Sequence, residues 1–152
     1  MKAELLEQIR VELRARLARL AKAACEAHAA ATDPGSKAEG KYDTRSLEAS
    51  YLAAGQARQV DELAEAVRVF ESMTLPEFAM DDPIDAGALV ELDTPDEPTL
   101  YLLAPVAGGL SVVHEGREIT LLTPASSLYQ KLLGLREGDL LENPARMILE
   151  VT

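Results

Sequence analysis

The sequence predicts an α + β protein, in which an antiparallel helical hairpin precedes a small domain of strands with one short helix. The first half is rich in Ala and carries two long series of apolar residues spaced three and four apart, which is the helical period. The second half has short apolar segments separated by Pro and Gly, a pattern typical of strands and turns. We therefore expect a coiled-coil domain over residues 1–75, a linker over 76–84 and an α + β domain over 85–152.

The first helix is predicted from about residue 3 to about residue 31. One apolar stripe runs along it, because its members fall on a single helical face. The helix is expected to end before Pro34, since proline cannot continue a helix, and Gly35 then favours a turn. The stripe consists of Leu6, Ile9, Leu13, Leu17, Leu20, Ala24 and Ala27.

The second helix is predicted by a further stripe, for which Asp43 and Thr44 are suitable N-caps. Each helix would be roughly 40 Å long at the usual rise per residue. Two such helices joined by a short loop pair antiparallel, which places the loop at the tip of the hairpin. The residues of this tip are polar and charged. The stripe consists of Ala49, Ala53, Val60, Leu63, Val67 and Phe70.

The second half is predicted to form a mostly antiparallel sheet with one short helix. The dipeptide Glu115-Gly116 indicates a tight hairpin. Ser126 or Ser127 is suited to cap the helix, and Gly134 to end it. The strand segments are residues 88–92, 99–103, 110–114, 117–122 and 147–151.

Charge is distributed unevenly along the chain. Residues 1–75 carry 11 Lys and Arg against 12 Asp and Glu, whereas residues 76–152 carry 4 against 14. The second half, at −10, is unsuited to duplex nucleic acid, whose phosphates require a basic surface. We expect no independent DNA binding and instead a protein partner with a basic face.

No apolar run reaches the ~20 residues of a membrane span. The single cysteine, Cys25, fits a reducing cytoplasm.

One segment of the second half contains Thr123-Pro124, Ser127-Leu128, Leu132-Leu133-Gly134 and Gly138-Asp139. These residues resemble the signature that closes the C-terminal domain of Gre-type bacterial transcription elongation factors. Two hairpin segments, Glu39–Glu48 and Gln56–Leu63, also resemble the start of that family's second coiled-coil helix. The resemblance implies an FKBP-like fold for the α + β domain, which docks on bacterial RNA polymerase. The signature residues expected to serve docking are Ser127, Leu128, Gly134, Gly138 and Asp139.

The resemblance also implies that the coiled coil enters the polymerase's secondary channel and reaches the RNA 3′ end. Acidic tip residues would then help to hold the polymerase's Mg²⁺, while the polymerase itself cleaves backtracked RNA. The chain would be no enzyme and would need no cofactor or metal of its own. The tip acids are Asp33, Glu39 and Asp43, and the basic residues expected to contact polymerase or RNA are Lys37, Lys41 and Arg45.

Several alternatives stay open. Lys37 and Lys41 partly neutralise the tip, which favours a regulator that occupies the channel without promoting cleavage. The tip acids are also ordinary turn and cap residues. A peptidyl-prolyl isomerase needs an aromatic-lined pocket, and residues 84–152 hold only Tyr101 and Tyr129 as aromatics. A coiled-coil adaptor would have no reason to carry the signature.

His28 and His114 have no second metal ligand at a suitable spacing, so both are expected to be structural or exposed.

Overall fold

The computed structural model describes residues 2–32, 45–142 and 144–152, and within them the side chains outside 30–32 and 45–52. The chain forms two compact units, Met1–Ile9 with Ser72–Thr152, and Arg10–Glu71. Residues 2–9 thus belong to the same unit as the sheet, whereas the rest of the helix that contains them belongs to the other unit. No helix in the described ranges combines the length and apolarity needed to cross a membrane.

Two long helices dominate the first half, α1 (Lys2–Thr32) and α2 (Arg45–Ser72). Both were predicted, because each carries an apolar stripe at helical spacing. Within the unit Arg10–Glu71, Leu13, Ala66 and Phe70 are buried. Arg10 donates from Nε to the Phe70 carbonyl at 2.7 Å. The two helices therefore run antiparallel, since the beginning of α1 meets the end of α2.

Six strands in the described residues form one mixed sheet in the order β3-β4-β2-β1-β6-β5. Four pairings are antiparallel and β2 with β4 is parallel. The α + β class is thereby confirmed, as is the mostly antiparallel sheet. The strands are β1 (Leu89–Leu92), β2 (Thr99–Leu103), β3 (Ser111–His114), β4 (Arg117–Leu122), β5 (Leu140–Leu141) and β6 (Arg146–Val151).

The predicted strands match five of these six. The strand β5 was not predicted, because two residues are too few to show an alternating pattern. The turn between β3 and β4 is a tight hairpin, with φ of 52° at Glu115 and 78° at Gly116. Two consecutive positive φ values are what a type I′ turn requires.

A single short helix, α3 (Ser127–Leu132), packs on the sheet. Its Tyr129 and Leu132 join a buried cluster that includes Val90, Leu103 and Ile148. Burial raises the pKa of the Tyr129 phenol, and the nearby Asp85 carboxylate adds to the increase. This cluster is the core that holds the helix and its flanking turns in position.

Lys2 holds the start of α1 within the sheet unit. Its side chain is only 2% exposed. Its ammonium group donates to the carbonyls of Pro76 at 2.5 Å, Gly87 at 2.9 Å and Thr152 at 2.6 Å, and lies 4.9 Å from the centre of the Phe78 ring. Three acceptors match the three N–H bonds of an ammonium group, so this lysine is a structural residue.

Candidate docking surface of the C-terminal domain

The signature segment forms a continuous surface element that begins with α3. Ser126 occupies the N-cap position with extended backbone, but its side chain makes no capping hydrogen bond among the described residues. Ser127 is exposed, whereas Leu128 is partly buried and packs against the core. The expectation of a serine cap is therefore confirmed for position and not for the hydrogen bond.

Gly134 ends α3 and anchors the linker. Its φ is 82°, a conformation that residues with a Cβ adopt only at a cost. Its N–H group donates to the Ile84 carbonyl at 2.9 Å, and the Ile84 N–H group donates to the Leu135 carbonyl at 2.7 Å. Since Ile84 is itself buried in the core, the glycine has a structural role at an exposed position.

Gly138 and Asp139 form the second turn of the segment. Gly138 has a φ of 87°, and its N–H group donates to the Ile148 carbonyl at 2.8 Å. The Asp139 carboxylate accepts a hydrogen bond from the Arg136 N–H group at 2.8 Å. The Asp139 carbonyl accepts one from the Ile148 N–H group at 2.9 Å. Both residues remain exposed, so the turn is a rigid feature of the surface.

An exposed apolar pair lies next to this turn. Leu140 is 61% exposed and Met147 is 43% exposed, and the two are register partners on β5 and β6. Asp139, directly before Leu140, and Glu142, two residues after it, are exposed carboxylates. We call Gly138, Asp139, Leu140 and Met147 the edge patch. Sequence reasoning missed its apolar half, because the pairing that joins Leu140 to Met147 involves the unpredicted β5.

The predicted residues of the hairpin tip cannot be placed in the same way. Asp33, Lys37, Glu39, Lys41 and Asp43 lie outside the described residues. Arg45 is the first residue of α2, and its side chain is likewise outside them. Their roles in holding Mg²⁺ or contacting RNA therefore stay predictions.

A shallow cleft of about 100 Å³ lies on the sheet, lined in part by Glu91, His114, Glu115 and Arg117. Arg117 donates to both oxygens of Glu91, at 2.9 and 3.4 Å, and these hydrogen bonds raise the pKa of its guanidinium group. The residues that line this cleft include no Phe, Tyr or Trp.

Comparison with known proteins gave matches only among solved structures. No family model and no curated protein matches this chain. Matching structures include the GreA factor homolog 1 (Gfh1) protein of Thermus thermophilus, at 19% identity and a TM-score of 0.38, covering 94% of each chain. Thermus aquaticus Gfh1 matches at 20% identity and a TM-score of 0.34, covering 99% of this chain and 93% of that one. Matches at these identities and TM-scores carry no argument about function.

Proposed function

We propose that this chain is a Gre-type regulator of transcription elongation that binds bacterial RNA polymerase through its C-terminal domain. The observation that carries the proposal is the position of the signature. Its two glycine turns and Asp139 are exposed, rigidly hydrogen bonded and adjacent to the exposed Leu140 and Met147. An apolar patch with a polar rim is typical of a protein-binding surface.

The antiparallel helices support the second part of the proposal, which is entry of the coiled coil into the polymerase's secondary channel. A long, narrow pair of helices has the shape that entry into a narrow channel requires. Inside the channel, the chain would supply ligands and not a complete active site, so any RNA hydrolysis would belong to the polymerase. The chain itself would therefore be no enzyme.

The two possible outcomes at the tip differ in chemistry. If Asp33, Glu39 or Asp43 completes the coordination of the polymerase's Mg²⁺, cleavage of backtracked RNA is stimulated. If Lys37 and Lys41 cancel that charge, the tip occupies the channel and cleavage is not stimulated. A cleavage assay on stalled complexes, with the full chain and a Glu39→Ala, Asp43→Ala variant, separates a cleavage factor from a blocker.

The binding surface is tested by a matched pair of substitutions. Leu140→Ser is expected to weaken binding to core RNA polymerase by about tenfold or more, since a central apolar contact is worth about 1–3 kcal/mol. Val113→Ser is the control, because Val113 is 65% exposed on β3, at the opposite edge of the sheet from β5. Affinity is measured by titration with the purified full chain. Equal losses in the two variants, or no binding by the unmodified chain, would contradict the proposal.

A further inference from the structure

Three potential metal ligands meet where the first turn of α1 approaches the β3–β4 hairpin. Glu4, His114 and Glu115 each offer one ligand atom, and these atoms all lie within 4.8 Å of one another. All three residues belong to the same compact unit. An imidazole nitrogen with two carboxylate oxygens is a ligand set that zinc accepts.

His114 carries the observation that points to a ligand. The residue is 6% exposed, and its Nε2 atom is buried with no hydrogen-bond partner among the described residues. Buried polar atoms normally have a partner in the protein or in ordered water. His114 thus places one imidazole nitrogen near two carboxylates, and its Nε2 atom is a nitrogen to which the described residues supply no partner.

The other ring nitrogen determines which form of the imidazole is present. Nδ1 lies 2.5 Å from the Gln8 Oε1 atom. Because a carbonyl oxygen can only accept, Nδ1 is the donor in this hydrogen bond, and in the neutral imidazole Nε2 then keeps its lone pair. A hydrogen bond to the second ring nitrogen is how proteins orient histidine ligands. Gln8 and Glu4 are four residues apart on α1, so they share a helical face.

We propose that Glu4, His114 and Glu115 bind a divalent transition-metal ion, for which zinc is the first choice. Mg²⁺ and Ca²⁺ prefer shells made entirely of oxygen, whereas imidazole suits zinc. Metal–ligand bonds of about 2.1 Å bring tetrahedral ligand atoms to about 3.4 Å from one another, so the side chains must approach by up to about 1.4 Å. Glu4 and Glu115 are both exposed and are able to move, and water completes the coordination.

The ion would act as a cross-link. It would join the first turn of α1 to the β3–β4 hairpin, in the unit that also contains the edge patch. An ion that binds only the folded chain stabilises it by mass action. Such a site would exist whether or not the chain binds RNA polymerase.

The test is a calorimetric titration of the full chain with ZnCl₂. The chain also holds Cys25 and His28 on α1, so the titration is done in a Cys25→Ser, His28→Gln background that removes them. We expect one ion per chain. His114→Asn keeps an amide N–H group near the Nδ1 position and removes Nε2, so zinc affinity should fall by at least about 100-fold. Gln8→Ala should weaken it by about 10-fold or more.

Two further variants keep the test decisive. Glu4→Gln replaces one exposed carboxylate with an isosteric amide, so a loss of zinc affinity there reports the ligand and not the fold. Glu118→Gln, at an exposed position on β4, should bind zinc like the background chain. Melting temperatures in EDTA establish that each variant is folded. Unchanged affinity in both His114→Asn and Glu4→Gln, or no binding at about 0.1 mM zinc, would overturn the proposal.

Discussion

At the scale of single residues, Lys2 is the buried charge that joins the ends of the sheet unit. Its three carbonyl partners come from the linker, from the turn before β1 and from the last residue of the chain. Burial lowers its pKa from 10.5 to about 8, and the Glu77 carboxylate opposes this decrease. The lysine therefore combines a desolvation cost with hydrogen bonds that no apolar residue can replace.

Replacement of Lys2 with Met should lower the free energy of unfolding by about 2–3 kcal/mol, because buried carbonyl groups lose a charged donor. Lys22→Met is the matched control, since Lys22 is an exposed lysine of the same helix. It should change stability by less than about 0.5 kcal/mol. Urea denaturation at pH 7 measures both values, and similar values for the two variants would contradict the structural role of Lys2.

The pH dependence of stability should also report on Lys2. Its pKa is lower in the folded chain, about 8 against 10.5 for the free side chain. Between these values the unfolded chain binds a proton that the folded chain has released. The Lys2 contribution to stability therefore rises as pH increases from about 8 to about 10.5. Denaturation of the unmodified chain and of Lys2→Met across this range should diverge, and parallel profiles would show that burial does not perturb Lys2.

At the scale of elements, the contact between α1 and α2 combines a buried side chain with exposed charges. Phe70 is completely buried, whereas Arg14 and Glu71 form an ion pair whose side chains are 46% and 41% exposed. Arg10 donates to the carbonyls of Phe70 and Glu71 in the last turn of α2, and α2 has no basic residue of its own there. A cation at that position stabilises carbonyl groups that lack helical partners.

The two kinds of contact should differ in energy. Phe70→Ala should lower the free energy of unfolding by about 3–5 kcal/mol, as is typical for removal of a buried aromatic ring. Glu71→Gln should cost less than about 1 kcal/mol, because exposed ion pairs are screened by water and salt. Chemical denaturation monitored by helical circular dichroism gives both numbers. If Glu71→Gln proves the more damaging change, charge and not packing holds the helices together.

At the scale of the whole molecule, the net charge is nearly neutral in the first half of the chain and strongly negative in the second half. Residues 76–152 carry 4 basic against 14 acidic residues, and the edge patch lies among them. An acidic domain associates faster with a basic partner surface, and salt screens this attraction.

We therefore expect the rate of association with RNA polymerase to fall at least about tenfold between about 0.05 M and about 0.3 M salt. The rate of dissociation should change little with salt. Leu140→Ser provides the comparison, because loss of an apolar contact should raise the dissociation rate and leave the salt dependence unchanged. Surface plasmon resonance with the full chain measures both rates, and an association rate independent of salt would contradict a role for the acidic charge.

Much of the fold was predictable because its signals are local. The stripe from Leu6 to Ala27 predicts α1 to within a residue at each end. The dipeptide Glu115-Gly116 predicts the hairpin, because a tight hairpin turn of type I′ requires positive φ at both central residues and favours Gly there. The same holds for Gly134, whose conformation ends α3. In each case, residues close in sequence supply the physical cause.

The candidate sites were less predictable, because they depend on residues brought together by packing. The signature indicated the turns at Gly134 and Gly138, but not the exposed pairing of Leu140 with Met147. The tip residues Asp33, Glu39 and Asp43 stay predictions from resemblance. The His114 surroundings had no sequence signal, since Gln8 lies 106 residues away along the chain.

The sequence by itself determined the two long helices, most of the strands, the hairpin turn and the acidic balance of the second half. Helical and strand periods act over a few residues, and charge is a sum over composition, so neither needs the final arrangement. Only the tertiary structure decided that the first eight residues of α1 join the sheet unit, where Lys2 reaches Thr152 and Gln8 reaches His114. Such contacts close long loops, and their stability depends on the burial of the whole core and not on any local pattern.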